Sequence, residues 1–572
     1  MTKRRHLPAL VATAALATAA CTDDEDPPAG DGSGLDIDEF PRAETLYSTG
    51  TAWGPPADFN PITPGQVTGL NGLGYEYLFL FDPQEQRLTP WLAESGEWTG
   101  EREYRLTLRG GITWSDGRAL TAADVAFTFE LGKIEGVPYG TVWDWLDSVE
   151  TAGDLELVFR FSEARHQEWD NFLYTNEIVP KHVFEAYTPE ELLGGTLDPD
   201  PVVSGPYRVH SVEEGRIAWV KRDDWWATEA LGLEVRPKFI VDLVTPGNAD
   251  ILNMLLDGRL DLANNFMPGV DDFLSGDPAL ITYFDKPPFM APVNTAMLIP
   301  NTTRTPLDDP EFRRAMAFAI SPGQIVDSVY GGMVTEAHPT GLLPIWERYY
   351  DPEVLGDDAF VFEPSQAVAI LAEAGYQDED GDGFVEDRDG EPFALQLIVP
   401  SGWTDWEAAA ESIALDLADA GINVTASFVD AAEVDAARES GDFDLLVNNY
   451  SRLTNSPWSH FKYLFELPIA ATQRSGNFSR WENEHAWELT QELSAVASED
   501  PRYLEVVAEL ERIAVQDLPA IPIWYNGAWS QASNAVWTGW PTAEAGGVYA
   551  SFWDEMWGLG AVRMLGGISP RE

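Results

Sequence analysis

The clearest alternation of apolar and polar residues in the chain lies within residues 104–130. Apolar side chains occupy every second position over 104–108, which is the period of a strand with one buried face. A Ser-Asp-Gly sequence at 115–117 predicts a tight turn, because glycine adopts positive φ without strain. Thr121 then predicts the N-cap of a helix, and Asp124 at the third helical position completes a capping box. The run therefore predicts a strand, a turn and a helix in that order.

Two further helices are predicted from their start and stop signals. One spans 309–320, with Asp309 as N-cap, Pro310 in the first helical position and apolar residues repeated on one face. The other spans 364–374 and ends at a glycine, the usual residue after a helix. Strands are predicted at 44–50, 155–161 and 393–399.

The amino terminus has the pattern of an export signal. Residues 1–6 are basic, and residues 7–20 are apolar but too short to span a bilayer. Cys21, the only cysteine, follows Thr18-Ala19-Ala20, and this arrangement resembles the cleavage site of bacterial lipoproteins. We expect residues 1–20 to be a lipoprotein signal peptide and Cys21 to carry the lipid. The alternative is an ordinary secretory signal with an incidental cysteine.

A polar segment separates this signal from the rest of the chain. Residues 22–34 hold several acidic residues and no apolar residue suited to a core, so 21–43 is predicted to be a lipid anchor followed by a flexible acidic tether. No later stretch is a candidate transmembrane segment, so the protein is expected to be anchored to a membrane without crossing it.

Charge and composition exclude some partners. The chain has 572 residues, enough for two or three domains, and a net charge of −60. Such a charge repels nucleic acid and anionic lipid, so neither is expected as a partner. The chain also has 22 tryptophans, which can fill a core or form flat ligand-binding faces in a cleft.

The run at 104–130 resembles the signature of the family 5 solute-binding proteins, the peptide and oligosaccharide receptors of ABC importers. The resemblance extends over nearly all of the mature chain. It includes the segments Ile178–Phe184, Ser204–His210, Asp309–Ile320 and Pro519–Tyr525.

The resemblance implies an α/β fold of the two-lobed periplasmic-binding-protein type, with a ligand cleft between the lobes. The implied divisions are lobe I at 44–65, 201–300 and 520–572, a subdomain inserted into lobe I at 66–200, and lobe II at 301–519. Chain crossings near 300 and 520 would form the hinge, and closure about it would bury the ligand.

The same resemblance implies a lipid-anchored extracytoplasmic receptor, in the periplasm or on the outer face of the bacterial cell membrane. It would capture oligopeptides or similar small oligomers as a monomer and deliver them to permease subunits driven by ATPase subunits. No cofactor is required for that role. The residues that the resemblance places at the ligand are Trp53, Trp403, Trp406, Asn449, Tyr450, Trp458 and Tyr525.

One departure from the family pattern bears on the ligand. Peptide receptors of the family usually hold the peptide amine with an Asp in the segment matching 447–458, but no acidic residue occurs from Leu445 to Tyr463. An unpaired buried ammonium is costly, which argues against an amine at that place. The asparagines and aromatic residues there are more similar to receptors of β-linked oligosaccharides, so this ligand class remains the alternative.

Residues 378–389 fit the template of an EF-hand calcium loop. Asp378, Asp380 and Asp382 occupy the first three ligand positions, and Phe384 would offer its carbonyl oxygen. Asp389 stands where the template has a bidentate Glu. We therefore expect either a structural Ca²⁺ site, far from the ligand cleft, or an ordinary acidic surface turn.

A secreted hydrolase is the rival functional class. The sequence has neither a G-x-S-x-G elbow nor an H-E-x-x-H motif, and its histidines are scattered. His182 and His460 are expected to be structural. We therefore expect a binding protein and no catalytic residues.

Overall fold

The computed structural model describes residues 40–572, except 52–55, 57, 64–66, 68, 246–247, 249–250, 268, 277–278, 351–354 and 357–358. The predicted signal peptide, Cys21 and Trp53 therefore lie outside the described residues. The folded body begins at Phe40, earlier than the predicted end of the tether at 43. Phe40 is buried, and Arg42 donates hydrogen bonds to Asp261 and to the carbonyl of Gly258. These contacts make residues 40–43 part of the fold.

The first large sheet has seven strands and contains the start of the folded chain. Strand Thr45–Thr49 lies in its interior and pairs in parallel with Phe239–Leu243 and Leu262–Ala263, while the other pairings are antiparallel. The order across the sheet is Leu280–Ile281, Gln531–Ser533, Leu262–Ala263, Thr45–Thr49, Phe239–Leu243, Arg216–Lys221 and Tyr207–Glu213.

The second large sheet has six strands. Pro292–Pro300 is central, and all but its first residue are buried, as expected for a strand covered on both faces. The order across the sheet is Thr335–Glu336, Ile521–Gly527, Pro292–Pro300, Leu445–Arg452, Leu395–Pro400 and Val424–Val429. Helix Thr404–Asp419 packs against the last two of these strands.

The chain between strands Thr45–Thr49 and Tyr207–Glu213 of the first sheet forms a smaller antiparallel sheet. Its order is Ala93–Gly100, Glu103–Leu108, Glu156–Phe161 and Leu146–Thr151, and the hairpin Phe79–Asp82 with Arg87–Pro90 precedes it. The predicted strand, turn and helix are present. Helix Ala122–Leu131 begins with the predicted capping box, in which the Thr121 hydroxyl accepts from the amide of Ala123 and Asp124 accepts from the amide of Thr121.

Helices complete the α/β architecture. The two other predicted helices form at Pro310–Ala319 and Pro364–Ala374, and Gly375 ends the second with φ +94°. The remaining α-helices are His166–Thr175, Lys181–Phe184, Pro189–Leu193, Trp226–Leu231, Ile251–Leu256, Pro322–Ser328, Ala431–Ser440, Trp458–Phe465, Glu484–Ala495, Pro501–Asp517, Asp554–Gly558 and Met564–Gly567. A short pair, Trp537–Thr538 with Ser569–Pro570, lies near the carboxyl terminus.

The chain passes between the two large sheets at two places, over 282–291 and over 528–530. The crossings predicted near 300 and 520 are therefore displaced, because Pro292–Pro300 and Ile521–Gly527 pair within the second sheet. The residue limits of the lobes stay predictions, since sheet membership alone does not define a lobe.

Most of the tryptophans are buried. Nine tryptophans are among the largest fully buried side chains: Trp114, Trp145, Trp169, Trp219, Trp225, Trp346, Trp524, Trp537 and Trp557. One group surrounds the buried carboxylate of Glu76, which accepts hydrogen bonds from the indole N–H of Trp91, Trp225 and Trp226 at 3.0, 3.2 and 2.9 Å. Tryptophan abundance was thus a weak indicator of the ligand site.

Candidate ligand cleft

A cavity of about 460 Å³ lies between the two large sheets. Its volume is within the range usual for small-molecule sites. The first sheet contributes residues that follow two neighbouring strands, and the second contributes side chains on its central strands. The lining residues used below are Gly50, Asn71, Asn248, Asn264, Asn265, Phe266, Asn294, Trp403, Asp405, Trp406, Asn449, Tyr450, Arg452, Asn526, Trp529, Trp553, Asp554 and Glu555.

Asparagine is the commonest polar residue of this lining, and several asparagine amides have at least one atom without a hydrogen-bond partner. Asn265 is 1% exposed, and neither its amide oxygen nor its amide nitrogen has a hydrogen-bond partner. The side-chain oxygens of Asn71, Asn294 and Asn526 are also buried without partners. Burying a polar group without a hydrogen bond costs about 1–3 kcal/mol, so these amides are suited to a ligand that supplies the missing partners.

The chain bends sharply at the cavity where the first strand ends. Gly50 has φ +98°, and a Cβ there would lie 2.5 Å from the side-chain oxygen of Asn265 and from the carbonyl carbon of Asn264. Only glycine fits so close to that pair. The indole N–H of Trp553 donates to the Gly50 carbonyl at 3.2 Å, which fixes this side of the cleft.

Aromatic rings of the lining belong to one series of contacts, in which Trp524 and Tyr330 link Trp406 to Trp529. Trp403 and Trp406 meet edge to face with their ring centroids 5.0 Å apart, at the start of helix Thr404–Asp419. Trp529 stacks on Tyr330 at 6.0 Å and contacts Phe266 edge to face at 5.4 Å. Rings held by such contacts offer flat apolar faces to a ligand at little entropic cost.

One carboxyl group lies deep in this lining. Asp405 is 4% exposed, and it accepts hydrogen bonds from the Asn248 amide at 3.2 Å and from the Tyr330 hydroxyl at 3.4 Å. Burial raises its pKa to about 6, with the hydrogen bonds opposing the rise. Among the described groups lining the cavity, Arg452 is the basic one, and no ion pair joins it to Asp405.

Four residues at one end of the cavity, which we call the Arg452 cluster, are Tyr450, Arg452, Asp554 and Glu555. Arg452 lies 3.9 Å from the Glu555 carboxylate and 5.4 Å from the centre of the Tyr450 ring. Asp554 accepts from the Asn71 amide at 2.7 Å. Desolvation by the surrounding protein raises the pKa of Asp554, the nearby Arg452 opposes the rise, and Glu555 adds to it. The Asp554 side chain is nevertheless exposed, so a ligand can reach it.

Comparison with known proteins identifies the family. Residues 87–468 match the family described as bacterial extracellular solute-binding proteins, family 5. The chain belongs to this family. Its curated relatives include the probable ABC transporter periplasmic-binding protein SapA of Escherichia coli, which is 25% identical over 523 residues and aligns over 86% of this chain and 90% of SapA. The oligopeptide-binding protein AppA of Bacillus subtilis is 24% identical over 484 residues, 82% of this chain and 84% of AppA.

Solved structures show the same fold. A periplasmic oligopeptide-binding protein of an ABC transporter from Thermotoga maritima, solved with mannohexaose bound, superposes with a TM-score of 0.89 at 42% identity, over 93% of this chain and all of that one. AppA from Bacillus subtilis, solved with a nonapeptide, has a TM-score of 0.76 at 20% identity, over 92% and 99% of the two chains.

These likenesses confirm the predicted family, its periplasmic-binding fold and the class of function. This family 5 protein is an extracytoplasmic solute-binding protein of an ABC importer, and it acts with permease and ATPase components. Among the described residues, no helix combines the length and apolarity that a membrane crossing requires.

The structure brings together four of the residues predicted at the ligand of this family 5 protein. Trp403, Trp406, Asn449 and Tyr450 all line the main cavity, and their contribution to binding stays a prediction. Trp458 lies in a second, adjoining cavity.

Tyr525 lies outside the described lining of both cavities. It is 5% exposed, donates to the carbonyl of Leu342 at 2.6 Å and accepts from the amide of His338 at 3.0 Å. These two contacts give it a structural role.

Sequence reasoning missed most of the polar lining. Asn265, Asn294, Asn526, Asp405 and Asp554 come from five separate segments, and no local motif joins them. Asp405 had one available signal, since it lies between the predicted Trp403 and Trp406. The absence of acidic residues from 445–463 argues against a bound amine. That argument is weakened, because Asp405, Asp554 and Glu555 enter the cleft from other segments.

The predicted calcium loop is partly assembled. One oxygen from each of Asp378, Asp380 and Asp382 lies within 4.8 Å of the others, and all three residues are exposed. Asp378 accepts from the amides of Gly381 and Gly383. Asp389 is not part of that group. Whether the loop binds calcium stays a prediction.

Proposed function

We propose that this protein captures a short oligopeptide or a similar small linear oligomer in the cleft and delivers it to its permease. The observation that carries this proposal is the lining of the cavity, which combines asparagine amides that have unpartnered atoms with aromatic rings. Amides supply both donors and acceptors, and the rings can cover apolar faces of a ligand. The relatives named as peptide-binding or oligopeptide-binding proteins support peptides as the first candidate.

A carboxylate available for an amine also favours peptides. Asp405 is buried, has only neutral hydrogen-bond donors and lies at the cavity. A peptide ammonium would supply the charge-assisted hydrogen bond that this group lacks. Its position differs from the family segment at 447–458, so the amine would be held from another element.

A β-linked oligosaccharide is the second candidate, and two observations favour it. Seven asparagines line the cavity, and amides pair well with sugar hydroxyls while aromatic faces pack against sugar rings. The relative that is 42% identical was solved with mannohexaose.

The pH dependence of binding separates the two candidates. An ammonium needs ionised Asp405, whose pKa is about 6 without ligand, so peptide affinity should be full above that pH and fall up to about tenfold per unit below it. Affinity for a neutral oligosaccharide should stay flat. Calorimetric titration of peptides and β-oligosaccharides from pH 7.5 to pH 5 measures both.

The variant Asp405→Asn sharpens this test. It should cost peptide binding at least about 2 kcal/mol, because a buried ammonium loses its charged partner, while sugar binding changes little. Asp416→Asn, on the same helix but outside the described lining, is the matched control. A peptide that binds equally well to Asp405→Asn would show that another group holds its amine.

We further propose that the receptor is a monomer, lipid-anchored through Cys21, and that it binds its ligand without chemical change. The polar segment after Cys21 would hold the folded body away from the membrane. Ligand would favour the closed form, which is the form the permease would recognise.

Release of the Cys21→Ser variant into the soluble fraction tests the lipid anchor. Measurable turnover of a bound peptide or oligosaccharide would support the hydrolase alternative instead.

A further inference from the structure

A second cavity of about 390 Å³ adjoins the first. All four residues of the Arg452 cluster belong to the lining of both cavities. These four residues therefore lie at the boundary between the two cavities. The Arg452 side chain is 43% exposed and Glu555 is 20% exposed, so a ligand in either cavity can reach them.

The second cavity continues into a third of about 420 Å³. These two share Trp458, Lys462, Arg474 and Ser475, and the Arg474 side chain at this junction is 74% exposed. The three cavities thus adjoin one another in turn, and each neighbouring pair shares lining residues.

The second cavity has the same mixture of aromatic and polar groups as the first. Trp458, Tyr174 and Tyr463 supply rings, and Asn171, Thr175 and Ser459 supply polar groups. The groups are held in place, since the Tyr174 hydroxyl donates to Asn171 at 2.8 Å and Tyr463 accepts from Asn448 at 3.1 Å.

Lys462 contributes a positive charge to the lining of the second cavity. Its ammonium lies 5.3 Å from the centre of the Trp458 ring, and the nearest carboxylates, Glu168 and Glu466, are 3.7 and 4.0 Å away. Those distances are too long for direct hydrogen bonds. The side chain is 26% exposed, so a ligand can gain a hydrogen bond from it without first breaking a strong one.

We propose that the second cavity is a distal binding segment, occupied by the outer units of long oligomers whose inner units fill the first cavity. This inference rests on the proposed function and adds the length of the cargo to it. The first cavity alone has the size of a site for one small molecule. An oligomer too long for the first cavity would extend past the Arg452 cluster and along Trp458, toward the adjoining third cavity.

Chain-length series test the proposal on the full mature protein. The probes are mannotriose and mannohexaose, and a tripeptide and a nonapeptide, titrated by calorimetry. Thr175→Trp places a large side chain at an exposed position of the second cavity, and Lys462→Ala removes a positive charge from its lining. Lys133→Ala is the matched control, because Lys133 also lies over a tryptophan ring, that of Trp143, outside the described cleft.

In whichever series binds, mannohexaose should bind at least about tenfold more tightly than mannotriose, or the nonapeptide at least about tenfold more tightly than the tripeptide. Thr175→Trp should remove that gain and leave the short ligand unaffected, and Lys462→Ala should reduce it while Lys133→Ala does not. Hydrogen exchange should show protection of 171–175 and 458–463 by the long ligand only.

Equal affinity for both lengths, or equal effects of Thr175→Trp on both, would overturn the distal segment and leave the proposed function standing. Failure of every probe to bind at any length would instead reject the proposed function, and the inference with it.

Discussion

Two adjacent asparagines in the cleft, Asn264 and Asn265, differ in whether their side-chain amides are hydrogen-bonded within the protein. Asn264 donates to the carbonyls of Trp529 and Ala550 at 2.6 and 3.0 Å and accepts from the amide of Phe552 at 3.1 Å. Asn265 is equally buried but has no partner for its amide. The first joins distant segments of the chain, whereas the amide of the second has no partner within the fold, which is why we propose that it binds the ligand.

Substitution of this pair by alanine should separate stability from binding. Asn265→Ala should leave the ligand-free midpoint of unfolding unchanged or higher and weaken ligand binding by about 1–2 kcal/mol. Asn264→Ala should lower the free energy of unfolding by about 2 kcal/mol or more, since it orphans buried backbone groups. Thermal unfolding and calorimetry measure the two effects. A large loss of stability in Asn265→Ala would contradict the ligand role.

His460 gives the fold a pH dependence of its own. It is fully buried, Nε2 donates to the carbonyl of Thr340 at 2.9 Å, and Nδ1 accepts from the Ser451 hydroxyl at 2.5 Å. Both nitrogens are used by the neutral ring, and burial lowers its pKa to about 4. This confirms the structural role predicted for this residue.

Because the folded pKa of His460 lies below the unfolded value near 6.5, the unfolded state binds the extra proton first. The contribution of neutral His460 to the free energy of unfolding should be full above pH 6.5 and should decline by about 3 kcal/mol as the pH falls to 4. Urea unfolding across this range measures it. His460→Gln should flatten part of the decline, whereas the exposed control His485→Gln should not. Identical slopes in the wild type and His460→Gln would contradict this account.

The residues that could be predicted were those next to a local signal. Trp403 and Trp406 precede and begin a helix, and Asn449 and Tyr450 lie on a strand that the resemblance marked. Asn265 and Asn526 carry no such signal, because what distinguishes them is an unpartnered amide, which depends on neighbours far away in sequence. Tyr525 was placed at the ligand, but its hydroxyl is already bonded within the fold.

At the level of elements, local chemistry predicted helix ends well and sheet membership poorly. The capping box at Thr121 and the glycine after Ala374 act within a few residues, so the sequence alone indicates them. Strand Pro292–Pro300 is mostly apolar and buried on both faces, and such a pattern indicates burial but not the identity of its partners. The crossings predicted near 300 and 520 were displaced for this reason.

The loop at 378–389 tests whether a template match makes a metal site. If it binds calcium, millimolar Ca²⁺ should raise the midpoint of thermal unfolding, because a ligand bound only by the folded state stabilises it. Asp380→Asn should abolish that shift, and Asp430→Asn, an acidic control outside the loop, should keep it. The absence of a Ca²⁺-dependent shift in the wild type would make the loop an ordinary acidic turn.

At the scale of the whole molecule, the cleft exists because the chain leaves the first sheet, builds the second and returns. The two crossings, 282–291 and 528–530, are short and lie near each other on one side of the cavity-forming strands Pro292–Pro300 and Ile521–Gly527. Residues from both sheets therefore face one cavity, which is the arrangement required for closure around a ligand. The net charge of −60 on the whole chain helps to keep an exported binding protein dissolved and disfavours nucleic acid as a partner.

The most direct test of the central claim is thermal unfolding of the mature chain with peptide pools and β-oligosaccharide pools, in parallel with Asn265→Ala. A ligand at a hundred times its dissociation constant should stabilise the wild type by about 2.7 kcal/mol, and Asn265→Ala should need a higher concentration for the same shift. The account predicts that one of the two pools gives this result and is recovered chemically unchanged. No shift from either pool, or consumption of the pool, would contradict it.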